Sequence, residues 1–222
     1  VRHHGWVENA TFSYTRTFTA GSAAERAVLV FHAIDGDAEI LLDGERIGRA
    51  SNAFVHHEFD VSGKLRIGVE HTLTVRLSTG VSRAKAMVEP ERYICDDSPE
   101  RMFLRKPQFS FGWDWAPRLV TCGIWKGVEL RLFDGPEILE CLLRPRFTAG
   151  SDRVTLQGEF RIRSSAACDA TLRFGVEDNS WTSVGLRLEA GETRTTLELN
   201  LFGIERWYPA GYGAQPLYRV SA

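Results

Sequence analysis

Apolar residues in this chain recur in short runs, and in several runs they alternate one-for-one with polar residues. Alternation at period two puts every second side chain on one face, as in a strand with one buried and one wet side. Segment 12–18 reads as a strand. Leu73, Val75 and Leu77 alternate with Thr72, Thr74 and Arg76, and Val128, Leu130 and Leu132 repeat the pattern. Residues 27–34 are almost continuously apolar, as in a strand buried on both faces. Asp43-Gly44 lies between segments 38–42 and 46–47. It predicts a type I′ hairpin, whose two central residues need positive φ. Asp134-Gly135-Pro136 is a turn cluster and a plausible linker, after which the strands resume. Val154, Leu156, Phe160 and Ile162 share one face of a strand broken at Gly158. Leu172, Phe174 and Val176 form another strand, Leu197, Leu199 and Leu201 a third, and 217–220 opens a last one that stops at Ala222. Helix signal is scarce: Ser98-Pro99-Glu100 predicts a short capped turn with proline at its start.

The pattern predicts an all-β chain of two domains, 1–134 and 135–222. The second is a small sandwich of immunoglobulin-like type, argued from strand spacing alone because the Cys–Trp–Cys signature is missing. Composition agrees, with 43% hydrophobic and 25% charged residues in 222. The longest unbroken apolar run is five residues, 27–31, against the ~20 of a spanning helix, so no membrane segment is expected. Net charge is −2, and the halves on either side of Asp134 net −1 each. A nucleic-acid binder would show a basic footprint, and none is present. Cys95, Cys122, Cys141 and Cys168 contain no C-x-x-C pair, so reduced, partly buried thiols are expected and a zinc site is not.

No catalytic motif is complete. Asp35-Gly36-Asp37-Ala38-Glu39 invites comparison with a calcium loop, but Ile40 and Arg46 occupy the positions that need glycine and glutamate. A charged turn is expected instead. His56 and His57 are neighbours on a strand, point to opposite faces and do not share a metal. No cofactor is implied. One stretch differs, running from Arg101 through Pro117 and containing Phe-Gly-Trp-Asp-Trp. Phe109, Phe111, Trp113 and Trp115 alternate with small or polar residues between Pro107 and Pro117. For Phe109 and Phe111 this predicts a strand with an aromatic core face. Trp113-Asp114-Trp115 fits a loop or strand end better. A sugar ring has an apolar face and a polar rim, and an indole beside a carboxylate matches both; packing is the competing reading.

The run 103–117, followed by Leu119-Val-Thr-Cys-Gly-Ile-Trp-Lys126, resembles the β-mannosidases of glycoside hydrolase family two. Segments 6–18, 34–54 and 207–218 fall in the same order as their counterparts in that family. The resemblance implies a jelly-roll (galactose-binding-like) β-sandwich, then an immunoglobulin-like β-sandwich, then a catalytic (β/α)₈ barrel. The match starts after the family's first strand and stops before the barrel, with the last strand of the second domain cut short. The chain therefore reads as a non-catalytic N-terminal piece whose partners are its own barrel and a β-mannoside. A retaining glycosidase needs two carboxyl groups ~5–5.5 Å apart. The family's acid/base follows an asparagine, and no Asn-Glu pair occurs here, so no catalytic residue is assigned and the chain alone is expected to be inactive. By the resemblance, Trp113 and Asp114 contact the sugar, Trp115 contacts it or packs beneath the loop, and Arg105 and Lys106 support the loop. The family usually has glycine where this chain has Ala116; a positive φ there would cost about 1 kcal/mol. The alternatives are a stand-alone carbohydrate-binding module, the front of a β-galactosidase or β-glucuronidase relative, or an immunoglobulin-type interaction protein without a sugar site.

Overall fold

The computed structural model describes residues 4–22, 24–89, 98–112, 116–177 and 180–222. The chain divides into two compact units, one through Leu132 and one from Phe133. Nine strands build the first: β1 (Thr11–Thr19), β2 (Arg26–Phe31), β3 (Ile34–Asp35), β4 (Asp37–Leu42), β5 (Glu45–Ala50), β6 (His57–Asp60), β7 (Glu70–Ser78), β8 (Gly123–Ile124) and β9 (Val128–Phe133). They form a sheet of order β1-β7-β4-β5, a sheet of order β6-β2-β9, and a β3-β8 ribbon. Leu29 and Phe31 of β2, Ile40 and Leu42 of β4, and Val75 and Leu77 of β7 meet in one core. This is the period-two pattern carried into three dimensions, since each strand gives alternate residues to the interior. β1 and β9 are edge strands, and between them the core opens in a cleft of about 600 Å³ lined by Tyr14, Phe18, Leu73 and Leu130 among others.

The Asp43-Gly44 hairpin has φ values of 51° and 84°, as a type I′ turn requires. Asp43 gains further hold there. Its carboxylate accepts from the Thr72 N–H at 2.7 Å and lies 2.6 Å from Nδ1 of buried His71. Those hydrogen bonds, the Thr72 amide first, hold the Asp43 carboxyl below its usual range. Among the described residues, only Asp43 and Glu177 adopt positive φ without being glycine, so Ala116 carries no such strain.

Six strands build the second unit: β10 (Glu137–Phe147), β11 (Val154–Ser164), β12 (Cys168–Val176), β13 (Ser180–Leu188), β14 (Gly191–Leu201) and β15 (Val220–Ser221). Sheets β10-β11-β14 and β13-β12-β15 enclose a core in which Phe160 and Phe174 pack edge to face at 5.5 Å. Gly158 does not break β11, which runs unbroken through it. A Cβ at Gly158 would lie 2.7 Å from the Phe160 ring, so glycine makes room for the aromatic. Cys122 and Cys168 are half-buried, whereas Cys141 is exposed, contrary to the expected burial, on edge strand β10; Cys95 lies outside the described residues. No helix of the described residues is long and apolar enough to cross a membrane.

Candidate functional site

The aromatic stretch does not run as a strand through Phe109 and Phe111. Residues Gln108–Phe111 form a 3₁₀ turn that starts after Pro107 and ends at Gly112. The period-two reading of Phe109 and Phe111 is therefore corrected: Phe109 is 74% exposed and Phe111 only 5%. Proline fixes the entry at φ −56°, and Gly112 leaves at φ +88°, a pair of constraints that closes a tight turn where side-chain alternation alone would give an extended strand. The amide of Leu119 donates to the Ser110 carbonyl at 2.9 Å. A Cβ at Gly112 would sit 3.3 Å from the Ala116 carbonyl oxygen and 3.4 Å from the Arg118 nitrogen. The arms on either side of residues 113–115 thus run against each other. Gly112→Ala is expected to cost about 1–2 kcal/mol, read as a fall of about 4 °C in the melting temperature of this unit. Trp113, Asp114 and Trp115 themselves lie outside the described residues.

Lys106 has 2% of its surface exposed. Its Nζ lies 2.5 Å from Asp35 Oδ1 and donates to the Thr121 carbonyl at 2.7 Å. Asp35 comes from β3 and Thr121 from the segment leading into β8, so one ammonium ties the start of the 3₁₀ turn to the β3-β8 ribbon. Arg105 behaves differently. Its backbone carbonyl accepts from the Ala53 N–H at 2.8 Å, while its side chain is exposed. Cys122 lies nearby, and burial pushes its thiol pKa up.

A second tie joins the same loop to residues that its sequence does not flag. Arg118 donates a forked pair to Glu8 at 2.9 and 2.9 Å and reaches Glu100 at 2.7 Å. It also donates to the Ser98 hydroxyl, and its guanidinium stacks 5.1 Å from the Phe111 ring centroid. Glu100, 5% exposed, sits in the 3₁₀ turn Pro99–Phe103 predicted from Ser98-Pro99, although the Ser98 side chain makes no cap. Arg118 carries no local sequence signal, because its partners are sequence-distant, Glu8 by 110 positions. Around it, Phe111, Val120, Leu104, Val81 and Ala84 form a small core.

The bond from Arg118 holds the Glu8 carboxyl below its ordinary range, ahead of the opposing effect of burial. A depressed native carboxylate pKa gives stability that is present above the unfolded-state value and is lost as pH falls through the native one. The urea midpoint of this unit is expected to drop across that acidic window. Arg118→Lys should make the drop shallower, because lysine cannot reproduce the fork. A drop of equal size in both proteins would refute the assignment to this pair.

The other residues considered from sequence are dispersed. His57 opens β6 with Nε2 2.8 Å from the Asn52 carbonyl, and His56 is exposed near Glu58. Asp37 pairs with Arg83 through two bonds of 2.6 and 3.0 Å. No group of three or more metal-ligating side chains is found among the described residues.

Comparison with known proteins gives the context. Residues 2–126 match the model of the glycosyl hydrolase 2 galactose-binding domain-like family. Beta-mannosidase B of Emericella nidulans is 27% identical over 97% of the chain, and that of Thermothelomyces thermophilus is 29% identical over 98%. The chain spans 26% of the length of each. The crystal structure of a β-D-mannosidase from Dictyoglomus thermophilum superposes with a TM-score of 0.89 at 30% identity, covering 99% of this chain and 28% of the other.

Proposed function

The chain belongs to the glycosyl hydrolase 2 galactose-binding domain-like family, and from that premise we propose that it is the non-catalytic front of a β-mannosidase-like glycoside hydrolase. Its role is to support a catalytic barrel supplied by the rest of the protein and to hold the Trp113-Asp114-Trp115 loop against the bound β-mannoside. The β-mannosidase relatives, each about four times as long as the stretch they share with it, carry this reading. The loop base supports it. Lys106 and Arg118, each tied to residues far off in sequence, fix the two arms from which residues 113–115 extend. The open edge between β1 and β9 supports reading residues 1–134 as a jelly roll short of its first strand.

A magnitude separates this reading from a free-standing sugar binder. One indole face covers about 100 Å² of a sugar, or ~2.5 kcal/mol at 25 cal/mol/Å². Millimolar affinity requires about 4 kcal/mol after the costs of association. The 222-residue chain is therefore expected to hydrolyse no aryl β-mannoside and to bind mannose more weakly than about 1 mM. Calorimetry and a chromogenic assay check this. Mannose binding tighter than about 0.1 mM would favour the carbohydrate-binding module instead.

A further inference from the structure

A dish of about 820 Å³ lies on the first unit beside the loop base. Its floor contains Ala33 and Ala53, both buried, and its walls carry Phe54 and Trp125, 65% and 58% exposed. Both walls are held in place. Trp125 and Lys126 form a turn whose one end pairs Ile124 with Ile34 and whose other end, the Gly127 carbonyl, accepts from the His32 N–H at 3.1 Å. On the opposite wall, the Phe54 N–H donates to Asn52 Oδ1 at 3.0 Å and the Ala53 N–H to the Arg105 carbonyl. The rim is charged but balanced. His32 Nε2 lies 2.8 Å from Glu129, which also accepts from Arg131 at 3.1 Å, and Lys126 Nζ stands 4.7 Å from the Trp125 ring centroid.

We propose that this dish is a distal subsite that takes a neutral pyranose residue of a longer β-mannoside; the identity of that sugar rests on the function proposed above. Two aromatic walls on pinned backbone over a floor of small residues suit the apolar faces of sugar rings, and the rim offers donors and acceptors for hydroxyls. On the rim Lys126 offsets Glu129, whose carboxylate is already engaged by His32 and by Arg131 from outside the dish, so the rim favours an uncharged ligand over an anion or a cation. The dish also shares its supports with the loop base. Asp35, which holds Lys106, is on the ribbon strand after His32 and Ala33, and Arg105, which pins Ala53, precedes Lys106.

The test is an NMR titration of the tryptophan indole N–H resonances of the 222-residue chain with mannose and with a β-linked mannotriose. The Trp125 resonance is expected to shift saturably with mannotriose and far less with mannose. Trp125→Ala should weaken mannotriose binding about tenfold, and Phe54→Ala about threefold. Both side chains are exposed, so the fold should survive either change, and unchanged amide spectra would verify it. If only the Trp113 and Trp115 resonances respond, the dish is overturned while the proposed function stands. A Trp125 shift in a protein whose activity in the full-length parent ignores Asp114→Ala would keep the dish and remove the loop. A Trp125 resonance that responds to protein concentration and not to sugar overturns the subsite in favour of a protein-covered surface. Silence of every indole overturns it as well.

Discussion

Lys106→Met is expected to destabilise the first unit by about 3–5 kcal/mol, the usual cost of removing one partner from a buried ion pair. Methionine fills much the same volume, so the loss is electrostatic rather than a cavity effect. What remains is the Asp35 carboxylate, whose side chain is only 16% exposed, and a Thr121 carbonyl without its charged donor. The surroundings are dry enough that burial also raises the neighbouring Cys122 thiol pKa. The double change Lys106→Met with Asp35→Leu should recover a large share of the loss, because it leaves no charge unpaired. Urea unfolding followed by residue-resolved amide signals separates the units: β3 and β8 should lose protection early, while β11 and β14 keep theirs. A loss below about 1 kcal/mol would mean that water reaches the pair and that the lysine does not anchor the turn. A double variant no better than the single one would assign the cost to packing instead.

The alternating segments were legible because burial on one face writes itself into every second residue; β7, β11 and β14 follow their patterns, whereas β9 leaves Val128 exposed. The Asp43-Gly44 turn was legible for a similarly local reason, since few residue pairs accept two positive φ values. The turn at Gln108–Phe111 was not. Its aromatics also alternate, but proline on one side and a left-handed glycine on the other override the period, and only one of the two phenylalanines finds a core. For Lys106 only the family resemblance suggested a supporting role, and nothing local pointed to its partner Asp35, 71 positions away. Arg118 left no local signal at all. Its three partners come from two other segments, and no periodicity reports a contact of that kind. The dish was equally silent, because Phe54 and Trp125 meet only after β3 pairs with β8. Local order was readable; long-range polar ties and surfaces assembled from separate turns were not.

In the full-length parent proposed above, Asp114→Ala is expected to lower kcat/KM for an aryl β-mannoside by about 10- to 150-fold. That range corresponds to the 1.5–3 kcal/mol of hydrogen bonds between a charged carboxylate and sugar hydroxyls. Trp113→Ala, which removes a stacking face, should cost about tenfold. The two together should cost less than the product, since both act on one sugar ring. Asp114→Asn keeps an acceptor and should fall between wild type and Asp114→Ala. If the contacts are equally strong in ground and transition states, KM rises and kcat holds; if they tighten as the ring distorts, kcat falls instead. Arg105→Ala is the control, because its side chain is exposed and its tie to Ala53 is made by the backbone carbonyl, which alanine keeps. A panel of aryl mannoside, galactoside and glucuronide distinguishes the mannosidase reading from its β-galactosidase and β-glucuronidase alternatives by which substrate the parent prefers. An Asp114→Ala parent within about threefold of wild type on every member of that panel would remove the loop from the sugar site. The Phe-Gly-Trp-Asp-Trp segment would then be a structural turn, and Lys106 and Arg118 would hold together a fold rather than a binding loop.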